Sequence, residues 1–235
     1  MKKIYLLVII LLAFSVYMGC KKDDNKDDGG EPCPGTPTVT YEGQVYNTVL
    51  IGHQCWFREN LNVGTMIKGK DDMIDNGIIE KYCYDNDPAN CNEYGGLYQW
   101  NEMMEYDTTA GVQGICPSGW HLPTDGEWTI MADLLGGAIV AGGKMKETGT
   151  AYWKPPNAGA TNESGFTALP GGNRISDGFI ELGNSASYWS SSAYHSNWVY
   201  FRLLVYDTPY LSLSSGANKI RGYSVHCVKN LKFDI

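Results

Sequence analysis

The chain has 235 residues, of which 43% are hydrophobic and 19% are charged, so it can build a packed core in one large domain or two small ones. Its 28 Gly, 16 Tyr and 7 Trp exclude collagen, a coiled coil, a multi-span membrane protein and wholesale disorder. The net charge of −8 argues against nucleic acid as a partner, because phosphate binding needs a basic surface.

The first twenty residues have the pattern of an export signal. Two lysines precede an apolar run over residues 4–14, which is too short to be a permanent membrane span. The ending Tyr17-Met18-Gly19-Cys20 resembles a bacterial lipobox, although Tyr17 stands where Leu is usual. We therefore predict that residues 1–19 are a lipoprotein signal peptide and that Cys20 carries the lipid that anchors the chain to a membrane. The alternative is an ordinary secretory signal.

Residues 20–37 are predicted to be a flexible tether, because Lys, Asp, Gly and Pro dominate them and offer almost nothing to bury. Within this segment, Lys22-Asp23-Asp24 resembles the acidic signal that sends Bacteroidetes lipoproteins to the cell surface. The expected location is therefore the outer membrane, with the domain of residues 38–235 exposed at the cell surface.

Six cysteines remain once Cys20 is assigned to the lipid, and an even number in an exported chain implies disulfides. Six cysteines allow fifteen pairings. The spacing of Cys83 and Cys91 favours a local bridge. In that arrangement Cys116 would pair with Cys227, and Cys33 with Cys55. A zinc site is not expected, because no Cys-x-x-Cys pair occurs and the four histidines lie far apart.

The first elements are predicted to be strands over residues 38–41, 44–51 and 54–59, separated by turns at Gly43 and Gly52. Residues 64–96 are rich in Asp and Asn and are predicted to be loops. A short helix is expected over residues 97–106, because its apolar side chains fall on one stripe.

A second helix is predicted after Thr124, since Thr124 and Glu127 have the spacing of a capping box. Gly136 and Gly137 are expected to end it. Short strands are predicted beyond residue 144, over residues 166–169, 179–182, 186–190, 198–206, 210–213 and 223–229. Helices in the first half and strands in the second favour the α+β class.

Six blocks of sequence, in order along the chain, carry a family resemblance. They are IGHQCWFRENLN (51–62), YGGLYQW (94–100), CPSGWHLPTDGEW (116–128), GFTALPGG (165–172), YWSSS (188–192) and SVHCVK (224–229). Together they cover about residues 40–231 and resemble the Fibrobacter succinogenes major paralogous domain family. His226 stands where that family usually has Arg.

This family is similar to the C-type lectin superfold. The resemblance implies two short helices, a mixed or antiparallel sheet, long irregular loops and disulfide bridges. It also implies a disulfide from an early segment to the last strand, which agrees with Cys116–Cys227. The LPTDGEW element further resembles formylglycine-generating enzymes, whose activity would need reactive cysteines late in the domain. Only Cys227 lies there, and it is assigned to a disulfide.

No residue is assigned a catalytic role. Residues 190–192 with His195 are the only serine–histidine cluster that suggests a nucleophile, and no Gly-x-Ser-x-Gly turn is present. Asp125 and Glu127 could form a carboxylate pair for glycoside hydrolysis. Their place in the first turn of a helix already accounts for their charge.

Asp85, Asp87 and Asn90 are candidate metal ligands, because Ca²⁺ prefers several oxygen ligands and these residues lie close in sequence. The candidate cofactor is therefore Ca²⁺. The alternative is that these side chains form turns. The Glu-Pro-Asn and Trp-Asn-Asp motifs of sugar-binding C-type lectins do not occur.

Aromatic residues are the best candidates for ligand binding, because Tyr and Trp stack on sugars and anchor protein interfaces. The candidates lie in or beside the expected long loops and are Tyr152, Trp153, Trp189, Tyr194 and Trp198. Separately, Asp107-Thr108-Thr109 resembles a Bacteroidetes O-glycosylation signal, which makes Thr108 a candidate modification site.

The sequence therefore predicts a non-enzymatic surface lipoprotein whose lectin-like domain binds glycan or protein ligands. One alternative is an enzyme, or an accessory to an enzyme, that acts on polysaccharide. Another is a purely structural component of the envelope or of a fimbria.

Overall fold

The computed structural model describes residues 30–231. Eleven strands occur in this range: β1 (Thr38–Tyr41), β2 (Gln44–Ile51), β3 (Gln54–Phe57), β4 (Thr65–Met66), β5 (Glu80–Lys81), β6 (Asn173–Ile175), β7 (Gly178–Ile180), β8 (Ser185–His195), β9 (Trp198–Val205), β10 (Ser212–Asn218) and β11 (Val228–Asn230). Its four α-helices are α1 (Pro88–Tyr94), α2 (Trp100–Met103), α3 (Asp125–Leu134) and α4 (Ala138–Met145), and a 3₁₀ helix spans Tyr84–Asn86. The α+β class is confirmed.

Two antiparallel sheets form the framework. The first has the order β1-β2-β3-β11, so the last strand of the chain pairs with β3, and the second has the order β10-β9-β8. The small pairs β4-β5 and β6-β7 are parallel and antiparallel respectively. The predicted strand at residues 166–169 is wrong, because only a single bridge, Lys146 to Ala168, forms there.

Strands β3 and β8 lie between two halves of the core. Side chains of successive strand residues point to opposite faces. Trp56 of β3 therefore belongs to one apolar cluster, and Cys55 and Phe57 belong to the other. In the same way Tyr188 and Trp189 of β8 divide between the two clusters.

Two of the predicted ligand-binding aromatics are core residues, which corrects the prediction. Trp153 and Trp189 are each 1% exposed. The indole N–H of Trp153 donates to the Ala168 carbonyl oxygen at 2.9 Å, and that of Trp189 donates to the Tyr98 carbonyl oxygen at 2.7 Å. A buried ring whose N–H is already paired stabilises the fold and has no face open to a ligand.

The prediction of two helices was too low, since the described residues contain four. The helix after Thr124 is confirmed as α3, with both bonds of the capping box between Thr124 and Glu127 present. The helix expected over residues 97–106 shortens to α2, because Leu97 pairs with Tyr82 and Tyr98 pairs with Tyr223 in β-bridges.

Helix α1 lies in the segment that was predicted to be loops. The Asp87 carboxylate accepts a hydrogen bond from the Ala89 N–H, and Pro88 occupies the first helical position. Both are favourable at a helix start, since Asp satisfies a free N–H and Pro has none to satisfy.

Helix α4 contains two glycines, which are unfavourable in the interior of a helix. A Cβ at Gly142 would overlap the Tyr210 carbonyl, and one at Gly143 would overlap the Gly159 carbonyl. The glycines therefore let the helix approach two backbone segments closely, and this contact with distant residues outweighs their low helix propensity.

Three disulfides join Cys33 to Cys55, Cys83 to Cys91 and Cys116 to Cys227, which are the pairs expected. The disulfide between Cys33 and Cys55 shows that the predicted tether, residues 20–37, includes residues that belong to the folded domain. Cys33 is buried, the Leu50 N–H donates to the Glu31 carbonyl at 2.7 Å, and the Thr48 N–H donates to the Pro37 carbonyl at 3.0 Å. Residues 31–37 are thus part of the folded domain, held on β2.

Candidate functional site

A polar cleft of about 390 Å³ lies between β2, the segment that follows β3, and the end of α1. We call it the polar cleft. The residues of its wall include both signs of charge, several side-chain amides and a tyrosine: Asn47, Arg58, Glu59, Asn60, Asn92, Glu93, Tyr94 and Thr167. Such a wall offers both hydrogen-bond donors and acceptors to a ligand that is rich in hydroxyl groups.

Glu59 is fixed in the wall of the polar cleft by a neighbouring strand. Its two carboxylate oxygens accept from the backbone N–H of Asn47 at 2.8 Å and from the Asn47 side-chain amide at 2.7 Å. Asn60 is held to α1, because its amide donates to the Tyr94 carbonyl oxygen at 2.7 Å. The cleft therefore has ordered polar groups on two sides.

Arg58 crosses the cleft wall toward the loop that contains Thr167. Its guanidinium donates to the Thr167 hydroxyl at 3.0 Å. Thr167 adopts a positive φ of 57° and is held by Asn162, whose side-chain oxygen accepts from the Thr167 N–H at 2.9 Å. A non-glycine residue in this conformation is uncommon, so the loop is shaped to place the hydroxyl beside Arg58.

Tyr152, one of the predicted ligand-binding residues, lies beside the polar cleft. Its ring packs edge to face with that of Tyr94, with 6.2 Å between centroids. A hydrogen bond to Glu93 raises the pKa of the Tyr152 hydroxyl, and the charge of Glu93 acts in the same direction. Tyr152 is partly exposed, so the cleft carries an aromatic surface at its edge.

The other two exposed candidates lie elsewhere. Tyr194 and Trp198 are exposed at the tip of the β8–β9 hairpin, where His195 pairs with Trp198. Tyr152 lies beside Gly183, just before β8 begins. Eleven residues of extended strand span about 36 Å. The structure therefore separates Tyr152 from Tyr194 and Trp198.

The predicted calcium ligands are in the segment around α1. Asp87 caps α1, and the amide of Asn90 donates to the Tyr84 carbonyl oxygen at 2.9 Å, so both support the local backbone. Asp85 is exposed, with a positive φ of 54°. No group of three or more His, Cys, Asp or Glu that could hold a metal ion occurs within residues 30–231.

The serines that suggested a nucleophile serve the fold. The hydroxyl of the buried Ser191 donates toward the Leu122 and Pro123 carbonyl oxygens at 3.1 Å, and the Ser192 hydroxyl accepts from the Asp125 N–H at 3.0 Å. His195 is exposed and its ring lies against Tyr194, with 4.3 Å between centroids.

The two carboxylates at the start of α3 are both engaged in hydrogen bonds. Burial alone would raise the pKa of Glu127, but hydrogen bonds from His121, Thr124 and Asn230 lower it to about 2. Asp125 pairs with the buried Arg202 at 2.5 Å. These contacts join α3 to β9 and to β11, which is a structural role.

We expect the Asp125→Asn substitution to destabilise the fold by about 3 kcal/mol, because it leaves the guanidinium of Arg202 buried without its counter-ion. The matched control is Glu163→Gln, which removes the exposed partner of Lys144 and should cost less than about 1 kcal/mol. Urea unfolding of the two variants measures both effects. Equal destabilisation would contradict the expected role of Asp125.

Thr108 is exposed in the loop after α2, beside Asp107, whose carboxylate accepts from the Thr109 N–H at 2.8 Å. Cys20 and the predicted signal peptide lie outside the described residues. Within residues 30–231, no helix has the length and apolar character needed to span a bilayer.

Sequence reasoning missed most of the polar cleft. Arg58, Glu59 and Asn60 fall in the first family block and Tyr94 opens the second, so the blocks marked these positions without indicating a shared site. Glu93 lies in none of the blocks, and no other sequence pattern indicated it. The cleft joins residues that are far apart in sequence, and no local pattern could connect them.

Comparison with known proteins gives one match. No curated protein and no solved structure is similar enough to this chain to be matched. The Fibrobacter succinogenes major domain matches residues 49–229, which include both sheets from β3 onward, all four helices and most of the polar cleft. The chain therefore belongs to the Fibrobacter succinogenes major domain family.

Proposed function

We propose that this chain is a non-enzymatic lipoprotein of the outer-membrane surface and that its domain binds glycans in the polar cleft. The observation that carries the proposal is the wall of the cleft itself. It combines a guanidinium, two carboxylates and several side-chain amides with the rings of Tyr94 and Tyr152. Planar polar groups can bond pairs of sugar hydroxyls, and an aromatic ring can stack on a sugar face.

The proposal includes the assignment of a C-type lectin-like fold to the domain. Three features agree with that assignment: the last strand, β11, pairs with the early strand β3, a disulfide joins Cys116 to Cys227, and a separate three-stranded sheet contains the long hairpin. Residues 58–100 and 146–172 contain long irregular segments that meet at the polar cleft. A binding site made of loops on a rigid framework is the usual arrangement for recognition.

The test is a glycan array with oxidised protein, residues 20–235, followed by affinity measurements on any ligand found. We expect Arg58→Met to weaken binding at least tenfold, since hydrogen bonds to a charged group contribute about 1.5–3 kcal/mol. Tyr152→Ala should weaken it several-fold by removing the aromatic edge.

Matched controls exist outside the polar cleft. Lys70→Met removes an exposed cation, and Tyr210→Ala removes an exposed ring, and neither residue lines the cleft. Both should leave affinity unchanged. If Tyr194→Ala or Trp198→Ala abolishes binding while Arg58→Met does not, the hairpin tip is the site and the cleft proposal is wrong. If no glycan binds, the glycan-binding proposal is wrong, and the remaining alternatives are a protein ligand and a structural role.

Calcium at Asp85, Asp87 and Asn90 stays a prediction, and a chelator arm of the same array tests it. Binding that disappears in chelator and returns with Ca²⁺ would support a metal-dependent site. Asp85→Asn should then reproduce the loss. Binding that is equal in both conditions would assign recognition to the side chains of the cleft alone.

A further inference from the structure

Helices α3 and α4 present four large apolar side chains to solvent, and we call these residues the apolar patch: Ile130, Leu134, Ile139 and Val140, with exposed fractions of 50%, 55%, 70% and 40%. Ile130 and Leu134 are four residues apart on one face of α3. Val140 lies over Gly136 in the connection between the helices. Asp133 is the only charged residue in the segment 129–143, so this part of the two helices contributes little charge to the patch.

The start of the described chain lies near this patch. Glu31 forms an antiparallel bridge with Leu50 of β2. Gly30, the first described residue, lies against the side chain of Val49 in the same strand. A Cβ at Gly52 would touch the Leu134 side chain, so the turn at Gly52 lies directly against the patch. Two residues of strand, from Leu50 to Gly52, measure about 7 Å.

The length of the remaining chain limits how far the domain can stand from its anchor. Gly30 follows the predicted lipid site, Cys20, by ten residues. A fully extended segment of ten residues spans at most about 36 Å. An anchor at Cys20 thus keeps Gly30, and with it the neighbouring apolar patch, within reach of the bilayer.

We propose that the apolar patch contacts the lipid surface to which Cys20 anchors the chain. This inference rests on the lipoprotein part of the proposed function and adds an orientation to it. Apolar side chains at a helix surface gain free energy when they enter the boundary between headgroups and acyl chains. With the patch on the bilayer, α3 and α4 lie along the membrane.

The test uses a weak anchor, so that the contribution of the patch can be measured. Residues 20–235 are coupled through the Cys20 thiol to a single fourteen-carbon chain. The other six cysteines are in disulfides and will not react. One such chain gives only marginal, reversible binding to vesicles. Partition is then measured on vesicles of phosphatidylethanolamine and phosphatidylglycerol.

We expect the double substitution Ile139→Asp and Val140→Asp to lower the partition coefficient at least tenfold, because it removes two apolar side chains from the lipid boundary. The control is Leu213→Asp with Ile220→Asp, which changes two exposed apolar residues outside the patch and should have no effect. The milder Ile139→Ser should reduce partition by a smaller factor, and circular dichroism checks that each variant folds.

Three outcomes would decide the proposal. Equal partition of the patch variant and the parent chain would overturn it. So would self-association of the parent chain that the patch variant abolishes without a change in partition, because a second copy would then cover the patch. If partition falls as expected but mass spectrometry of the cellular protein finds no acyl group on Cys20, the lipid affinity stands and the lipoprotein proposal fails.

Discussion

Replacing Cys116 and Cys227 by Ala is expected to destabilise the domain by about 5 kcal/mol. In the chain-entropy model, a disulfide lowers the entropy of the unfolded chain by an amount that grows with the loop it closes, here a separation of 111 residues. That loss is comparable to the whole stability of many domains. We therefore expect the variant to be largely unfolded at 37 °C, measured by urea unfolding at 25 °C and by thermal melting.

Cys83 and Cys91 provide the matched control. Their separation is 8 residues, so the same model gives about 2.5 kcal/mol for the double Ala variant. Both pairs are buried, which makes the loss of side-chain packing similar. Equal destabilisation of the two variants would contradict the expectation that loop length governs the difference.

The second large effect concerns His226, and we expect the protein to lose stability steeply in acid. His226 is 1% exposed and lies among aromatic rings, 4.4 Å from Phe166 and 5.1 Å from Tyr188 between centroids. Burial lowers its pKa to about 3, although the hydrogen bond to the Phe57 carbonyl opposes this. In the unfolded chain the pKa is about 6.5.

The sign of the effect follows from these two pKa values. Below pH 6.5 the unfolded state binds a proton that the folded state does not, so stability is full above pH 6.5 and falls until about pH 3. Each pKa unit corresponds to about 1.4 kcal/mol. The loss is thus about 2 kcal/mol between pH 7 and pH 5, and more than 4 kcal/mol by pH 3.

The measurement compares parent and His226→Gln at pH 7 and pH 5 by urea unfolding. Gln keeps an N–H donor near the Phe57 carbonyl and does not titrate. Glu127 has a pKa of about 2 in the folded chain and about 4.5 in the unfolded chain, so it contributes little to the change in stability between pH 7 and pH 5. The free energy of unfolding of His226→Gln should change little between pH 7 and pH 5, whereas that of the exposed control His195→Gln should still fall as the parent's does. If the free energy of unfolding of His226→Gln falls with pH as steeply as that of the parent chain, the acid instability does not come from His226.

Local signals predicted the elements whose stability is mainly local. The alternation of apolar residues and the glycine turns placed β1 and β2 at their observed bounds, and the Thr124–Glu127 capping box placed the start of α3. Helix α4 was missed because its Gly142 and Gly143 are explained only by the close approach of Tyr210 and Gly159. No property of residues 138–145 alone contains that information.

The candidate binding residues also divide into those that residue type identifies and those that only the folded chain reveals. Tyr152 was identified by residue type, and the structure places it beside the polar cleft. Trp153 follows it directly but points into the core, where its N–H bonds to Ala168. Composition indicates that Tyr and Trp are abundant, but exposure depends on which face of an irregular loop meets the core. Arg58 and Thr167, 109 residues apart, meet only in the folded chain.

The disulfide between Cys33 and Cys55 determines how the domain bears mechanical load. Tension applied to the residues before Cys33 passes through a covalent bond to β3, which is hydrogen-bonded to β2 and β11 in the centre of its sheet. Strands β1 and β2 lie inside the closed loop between the two cysteines. A pull on the residues before Cys33 therefore bypasses β1 and β2, and these two strands cannot be peeled away one hydrogen bond at a time.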